Sequence, residues 1–252
     1  MKKNIMAILV IAALSLVGAC SNNNEQSERE VSNLEQLPIK QQKIPIIAAL
    51  TAGGDIARLR QFFVEGLEAG LTVNEIKEVL VHVHAYAGFP RALNGINAFI
   101  AVMDEREAAG IVDVYAPEAA PVITDNIFQL GYDNLATLRN PNHIPGEPDP
   151  TPIPRYVDFT PAIETFLKEN LFGSLFSRDV LDFQSRQLAT VGAISNLPNT
   201  NAQLRSHITL TLVQGVSEEQ MRHLFIIMAD YFGRERSDNA LSVLQEVVNS
   251  RN

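Results

Sequence analysis

The chain has 252 residues, 46% of them hydrophobic, and a formal net charge of −9. That length suits one or two domains with a substantial buried core. The acidic balance, the lack of tryptophan and the absence of any run of four basic residues exclude a nucleic-acid binder, which needs a basic face.

The first element is an address. Lys2-Lys3 precede an apolar run from Ile5 to Val17, and Val17-Gly18-Ala19-Cys20 follows. This order reads as a signal peptide over residues 1–20, and the run is short for a membrane span. The small residues before the cysteine resemble a bacterial lipobox. Cys20 is therefore expected to be the lipidated N-terminus of a lipoprotein, holding it at the cell envelope, membrane-anchored and facing the periplasm. It is the only cysteine, so the folded part has no disulfide framework and no thiol chemistry. Residues 21–37, with Asn22-Asn23-Asn24 and scattered glutamates, read as a disordered, solvated tether.

From there the pattern is helical, and nothing alternates with period two over a useful length. Ile44 to Leu50 form a first packed helix ended by Gly53-Gly54. Asp55 caps a second, with Ile56, Leu59, Phe63 and Leu67 on one face, and Gly70 stops it. Thr72 and Glu75 make a capping box for a third. Its stripe is Ile76, Val79, Leu80, Val83, Tyr86 and Ala87. Gly88 supplies a left-handed stop and Pro90 a first-turn proline. Leu93, Ile96, Ile100 and Met103 carry the next helix to about Ala109. Residues 111–159, with Pro141, Pro145, Pro148, Pro150, Pro152 and Pro154, read as a proline-stiffened linker or arm without helical packing. Thr160-Pro161 then opens a helix through Leu171, Asp182 caps one through Ala193, and Thr200 with Gln203 forms another capping box. Ser217 to Phe232 and Glu235 to Val248 close the chain.

The chain repeats itself at an offset of 145 positions. Gly70 falls on Gly215, Tyr86 on Tyr231, Gly88 on Gly233, Arg91 on Arg236 and Asn94 on Asn239, while Thr72 and Glu75 fall on Ser217 and Gln220. The matches gather at caps and turns, which marks two copies of one helical unit. The expected architecture is all-α, with repeats over 38–110 and 160–252 joined by the 111–159 linker.

Gly70-Leu71-Thr72, Glu75-Ile76, Glu78-Val79-Leu80 and Tyr86-Ala87-Gly88-Phe89-Pro90-Arg91-Ala92 together resemble the signature of the carboxymuconolactone decarboxylase family. Arg186-Gln187-Leu188-Ala189-Thr190, Leu204-Arg205-Ser206-His207 and Gly215 extend the resemblance into the second half. It implies the alkylhydroperoxidase-like fold and, since such units assemble as rings of six, a homotrimer of this two-unit chain. It also implies removal of carbon dioxide from a carboxylated lactone, although fold alone does not fix the reaction. The thiol members of the family carry C-x-x-C with a histidine four residues on. Those positions hold Thr200, Gln203 and His207 in the second repeat, and Asp55, Arg58 and Phe62 in the first. An antioxidant, peroxiredoxin-type activity requires the missing thiols and is disfavoured. The family's Arg-Glu-Leu glutamate is Gln187, which cannot relay a proton.

His207, at the edge of its helix's apolar face, is the leading candidate for an acid or base. Arg186, on another helix, is the candidate cation for a small anionic substrate, either a carboxylated lactone or a keto acid. Tyr86 and His82, sharing a flank of one helix, are candidate donors. Residues two apart point about 200° apart on a helix, so His82 and His84 cannot share one metal ion. No cofactor or metal set is indicated. His223 falls on the polar face and reads as solvated. Arg60, Arg205, Arg91 and Arg236 occur in both repeats and read as structural. The Pro141–Pro154 stretch is placed to cover the His207 site. The competing reading is a noncatalytic binding protein that has kept the fold.

Overall fold

The computed structural model describes residues 34–251, which are helical with no strand among them. Cys20 and the residues around it lie outside that span. The elements are α1 (Ile39–Gly53), α2 (Ile56–Glu68), α3 (Val73–Ala108), α4 (Ile127–Arg139), α5 (Arg155–Phe159) and α6 (Ala162–Thr165). A π-helical segment (Phe166–Leu175) follows, then α7 (Phe183–Ser195), α8 (Asn201–Val213), α9 (Glu218–Phe232) and α10 (Arg234–Arg251).

The caps are where local chemistry puts them. The Asp55 side chain accepts from Arg58 N, and Asp182 from Ser185 N. Both bonds of the capping box form at Thr72/Glu75 and again at Ser217/Gln220. Gly88 breaks α3 into two arms at φ 80°, ψ 162°, and Gly233 divides α9 from α10 at φ 94°, ψ 151°. That region is open to glycine alone. The 145-residue offset therefore holds for the helices as well: α2 falls on α8, and the start of α3 on the start of α9.

Four expectations need correction. Thr200 makes no cap; its hydroxyl donates back to the Ile194 and Leu197 carbonyls instead. The stretch 111–159 contains α4, capped by Asn126, whose side chain accepts from Gln129 N. The helix expected from Thr160 to Leu171 is the short α6 running into wide π turns, and Thr160 does not cap it. The last residues assigned to the tether are folded: Leu37 is buried, and the Glu35 carboxylate accepts from Ser217 Oγ and Gln220 Nε2.

The two units interlock. α1 and α7, equivalent under the offset, pack along each other at the centre. Gly192 permits this, since a Cβ there would sit 2.2 Å from the Pro45 carbonyl oxygen. The first arm of α3 then packs on α7 of the other unit, and α9 packs on α1. One continuous core results, running from Leu37 to Val247. A satellite core forms where α4 and the π segment meet, from Leu138, Leu171, Phe172, Leu175 and Phe176. Gly131 and Gly173 let these backbones touch: a Cβ on Gly131 would fall 1.8 Å from the Lys168 oxygen.

The repeated arginines serve structure. Arg60 pairs with Glu105 and Arg205 with Glu246. Arg91 lies against Gly54 at the end of α1, and Arg236 donates to Asn196 at the end of α7. In the second arm of α3 the buried side is Ala92, Gly95, Ala98, Phe99 and Val102. Leu93 and Ile100 stay 54% and 53% exposed beside Phe89, leaving an apolar stripe on the surface instead of the expected packed face.

Candidate functional site

On the first arm of α3, Glu78, His82 and Tyr86 stand four residues apart and so share one face. That face is pressed against α7 by the interlock, and it meets Arg186, Gln187 and Thr190. His207 and Thr211 arrive from α8, and Phe176 and Arg178 from the turn that follows the π segment. The four residues expected at the site, His207, Arg186, Tyr86 and His82, are thus brought into one cluster.

Glu78 is its electrostatic hinge. The carboxylate is buried and accepts from Arg178 Nε at 2.8 Å and Nη2 at 2.9 Å, and from Arg186 Nη2 at 2.8 Å. Burial alone would raise its pKa, but the hydrogen bonds and charges of the two arginines outweigh this and hold it below the carboxylate range. Arg186 has no exposed side-chain surface. Its Nη2 also donates to the Arg178 carbonyl at 2.7 Å. Burial lowers its pKa even against the Glu78 contact. So the guanidinium expected to hold a substrate carboxylate is largely committed within the protein, leaving Nε without a partner.

His82 has its tautomer fixed by these neighbours. The Thr190 hydroxyl donates to the Arg186 carbonyl (2.9 Å), so at its 2.9 Å contact with His82 it accepts from Nε2–H. Nδ1 is then the acceptor facing Arg186 Nη1 at 3.4 Å. Burial first, then the Arg186 charge, pushes this imidazole well below its usual pKa. A neutral ring with both nitrogens engaged orients Arg186 and does not carry a proton to substrate.

His207 differs. Nδ1 lies 2.9 Å from Gln187 Oε1, an acceptor, which assigns the proton to Nδ1 and leaves the Nε2 lone pair free. The residue is half-buried, and burial lowers its pKa to about 4. Tyr86 presents its ring edge-on at 5.6 Å from the His207 centroid and packs 5.3 Å from His82. Its hydroxyl is buried near Thr190 without closing a hydrogen bond, and burial pushes it well above the phenol range, so it stays protonated and can donate. Gln187 Nε2 is unpartnered too. Three buried donors, Tyr86 Oη, Arg186 Nε and Gln187 Nε2, therefore stand unanswered within the cluster. Replacing Gln187 with glutamate is expected to raise the His207 pKa, because a carboxylate favours the imidazolium. Imidazole NMR titration reads this directly; an unchanged midpoint would show that the two side chains do not meet.

The pseudo-equivalent position shows what is unique here. Phe62 replaces His207 and packs edge-on to Tyr231 at 4.6 Å, mirroring the Tyr86 contact. His223 stands where Glu78 does, Ile227 where His82 does, and Gln41 where Arg186 does. Contrary to the solvated reading, His223 is 5% exposed, since the interlock lays α1 over α9. Both positions are assembled across the repeats, but the charged cluster occurs once.

Cover comes from the insertion. Tyr86 and Val81 pack into the satellite core of α4 and the π segment, and Phe176 meets His82 at 5.3 Å. Gln214 Nε2 ties the end of α4 down by donating to the Leu138 carbonyl at 3.1 Å. These elements, not the Pro141–Pro154 run, lie against Tyr86. That run is instead pinned to α4, with Asp149 N donating to the Tyr132 hydroxyl and Asp149 pairing with Arg139. His84 turns away to the Val81 carbonyl and stacks on Phe89. Among the described residues no group of three His, Cys, Asp or Glu side chains is placed to hold a metal.

Glu78, Arg178, Gln187 and Thr190 were not expected as participants. The available signal was the Glu78–His82–Tyr86 spacing, an acid four residues before a histidine on an otherwise apolar face. No curated protein matches the chain. The family model described as the carboxymuconolactone decarboxylase family matches residues 26–101 and 161–246, one match for each unit. The chain belongs to that family.

Proposed function

We propose that this two-unit member of the carboxymuconolactone decarboxylase family is a lyase acting on a small carboxylated lactone or keto acid, with His207 as its proton carrier. The supporting observation is a cluster that holds both unanswered donors and a neutral imidazole whose outer nitrogen is free. Arg178 and Arg186 against the single Glu78 leave the cluster one positive charge in excess, which favours an anion. A carboxylate arriving beside His207 raises the imidazole pKa, so the ring takes a proton from solvent as substrate binds. The bond from carbon to the carboxylate breaks, carbon dioxide leaves, and the electron pair becomes an enolate. Tyr86 donates to the enolate oxygen. His207 returns its proton to carbon.

The test is carbon dioxide release from carboxymuconolactone, the compound in the family's name, by wild type and His207→Gln. Release by wild type and its loss in the variant support the reading; equal release by both overturns it. A second reading, a noncatalytic binding protein, is favoured by the commitment of Arg186 to Glu78. It predicts saturable binding of the same compound with no release.

The exposed stripe of Phe89, Leu93 and Ile100 supports assembly as a homotrimer, since single chains bury such stripes against partners. Light scattering on the protein from residue 34 onward is expected to give three chains, and a monomer at every concentration would contradict it. The Lys2-Lys3, apolar-run and Cys20 order supports a lipid anchor at the envelope, facing the periplasm. Metabolic labelling with a fatty acid is expected to mark wild type and not Cys20→Ser; an unlabelled wild type would refute it.

A further inference from the structure

The insertion that covers the site holds a cation with no anionic partner. Lys168, in the π segment, is 8% exposed, yet among the described residues its Nζ has neither an ion pair nor a hydrogen bond. What it has is the Tyr132 ring, with Nζ 4.4 Å from the centroid. The carboxylates around it are occupied. Asp149 pairs with Arg139 and accepts from Thr151 N. Asp133 accepts from Gln129 Nε2 and Gly146 N and lies 3.4 Å from His143 Nε2. Glu164, one turn earlier, lies beyond ion-pair distance of Nζ. The lysine backbone is also packed tightly against α4, since a Cβ on Gly131 would fall 1.8 Å from the Lys168 oxygen.

We propose that Lys168 is a reactive amine that condenses with small carbonyl compounds, a site separate from the His207 cluster and independent of its chemistry. An aromatic face holds an ammonium less firmly than a carboxylate does, and desolvation favours the neutral form. Burial, followed by the charge of Arg139, lowers the Lys168 pKa even against the opposing charges of Glu164, Asp149 and Asp133. Lysines activated in this way are the ones that form Schiff bases. The Nζ lone pair attacks the carbonyl carbon and the carbonyl electron pair moves to oxygen. The carbinolamine then expels that oxygen as water to leave a carbon–nitrogen double bond. Amine and carbonyl give imine and water, with no oxidant or reductant needed. π turns accumulate where a helix is shaped for function over stability, which is the setting of this lysine.

Glyoxylate is a suitable probe. The full chain is incubated with it at neutral pH, imines are trapped with cyanoborohydride, and adducts are mapped by peptide mass spectrometry. Lys168 is expected to carry the first adduct, ahead of the exposed and ion-paired Lys40 and Lys77. Lys168→Met is expected to lose that adduct while Lys40 and Lys77 label as before. The order of labelling in wild type decides the matter even where the variant folds poorly. Adducts at Lys40 and Lys77 with Lys168 bare, or labelled no sooner than they are, would overturn the proposal.

Discussion

Glu78→Gln is expected to be the most damaging single substitution in the protein. It removes the one carboxylate that, among the described residues, pairs with Arg186, a guanidinium with no exposed surface, and it releases Arg178 from a two-pronged contact. Stranding a buried charge costs about 3–5 kcal/mol, a large part of a domain's total stability. Urea unfolding at neutral pH measures the loss. The pH dependence gives a second readout. The folded Glu78 pKa lies below its ordinary 4.5, so its contribution is complete above that value and drains away as pH falls through the lower folded one. The buried, depressed His82 and His207 have the same sign, with loss beginning lower in pH than about 6.5. Glu78→Gln should flatten the acid end of the stability profile and leave the histidine limb. A variant as stable as wild type, with the same acid limb, would show that the bridge is not formed.

His207→Gln is expected to behave in the opposite way. Glutamine keeps a donor and an acceptor near Gln187 and fills similar space, so the melting temperature should move little. The turnover in the carbon dioxide assay should fall by about 10²–10⁴, the usual contribution of a positioned acid or base. Phe62 has no proton carrier to remove, so Phe62→Leu, which keeps the buried position apolar, should leave turnover intact. Unfolding by His207→Gln, or an undiminished rate, would make the imidazole structural and leave binding as the function.

How far the residues alone disclose this arrangement depends on the range of the forces involved. The repeat could be read because caps and turn glycines are local: Thr72 bonds Glu75, Ser217 bonds Gln220, and Gly88 and Gly233 take backbone angles closed to other residues. The interlock could not, because nothing within α9 says that α1 will cover His223. Glu78 was overlooked for the same reason. An isolated acid on a helix reads as solvated, and its partners Arg178 and Arg186 are 100 and 108 positions away. In the insertion, six prolines after Arg139 masked the periodic α4 before them, although Asn126 was there to cap it. The π turns carry no side-chain pattern of their own; they follow from how closely Gly131 and Gly173 let two backbones meet. His207, Arg186, Tyr86 and His82 were singled out through spacing and resemblance, but which of them brace one another is visible only in the geometry. Arg186 and His82 brace each other, while His207 and Tyr86 keep free atoms.

The most direct test of the site is the imidazole nitrogen signal of His207, followed by NMR between about pH 3 and about pH 8 with and without carboxymuconolactone. Without ligand, a proton on Nδ1 and a midpoint at about 4 are expected. With ligand, the midpoint is expected to rise, because a bound carboxylate stabilises the imidazolium. The same midpoint in both samples at saturating ligand, or a free-state midpoint near 6.5, would contradict the proposed role of His207.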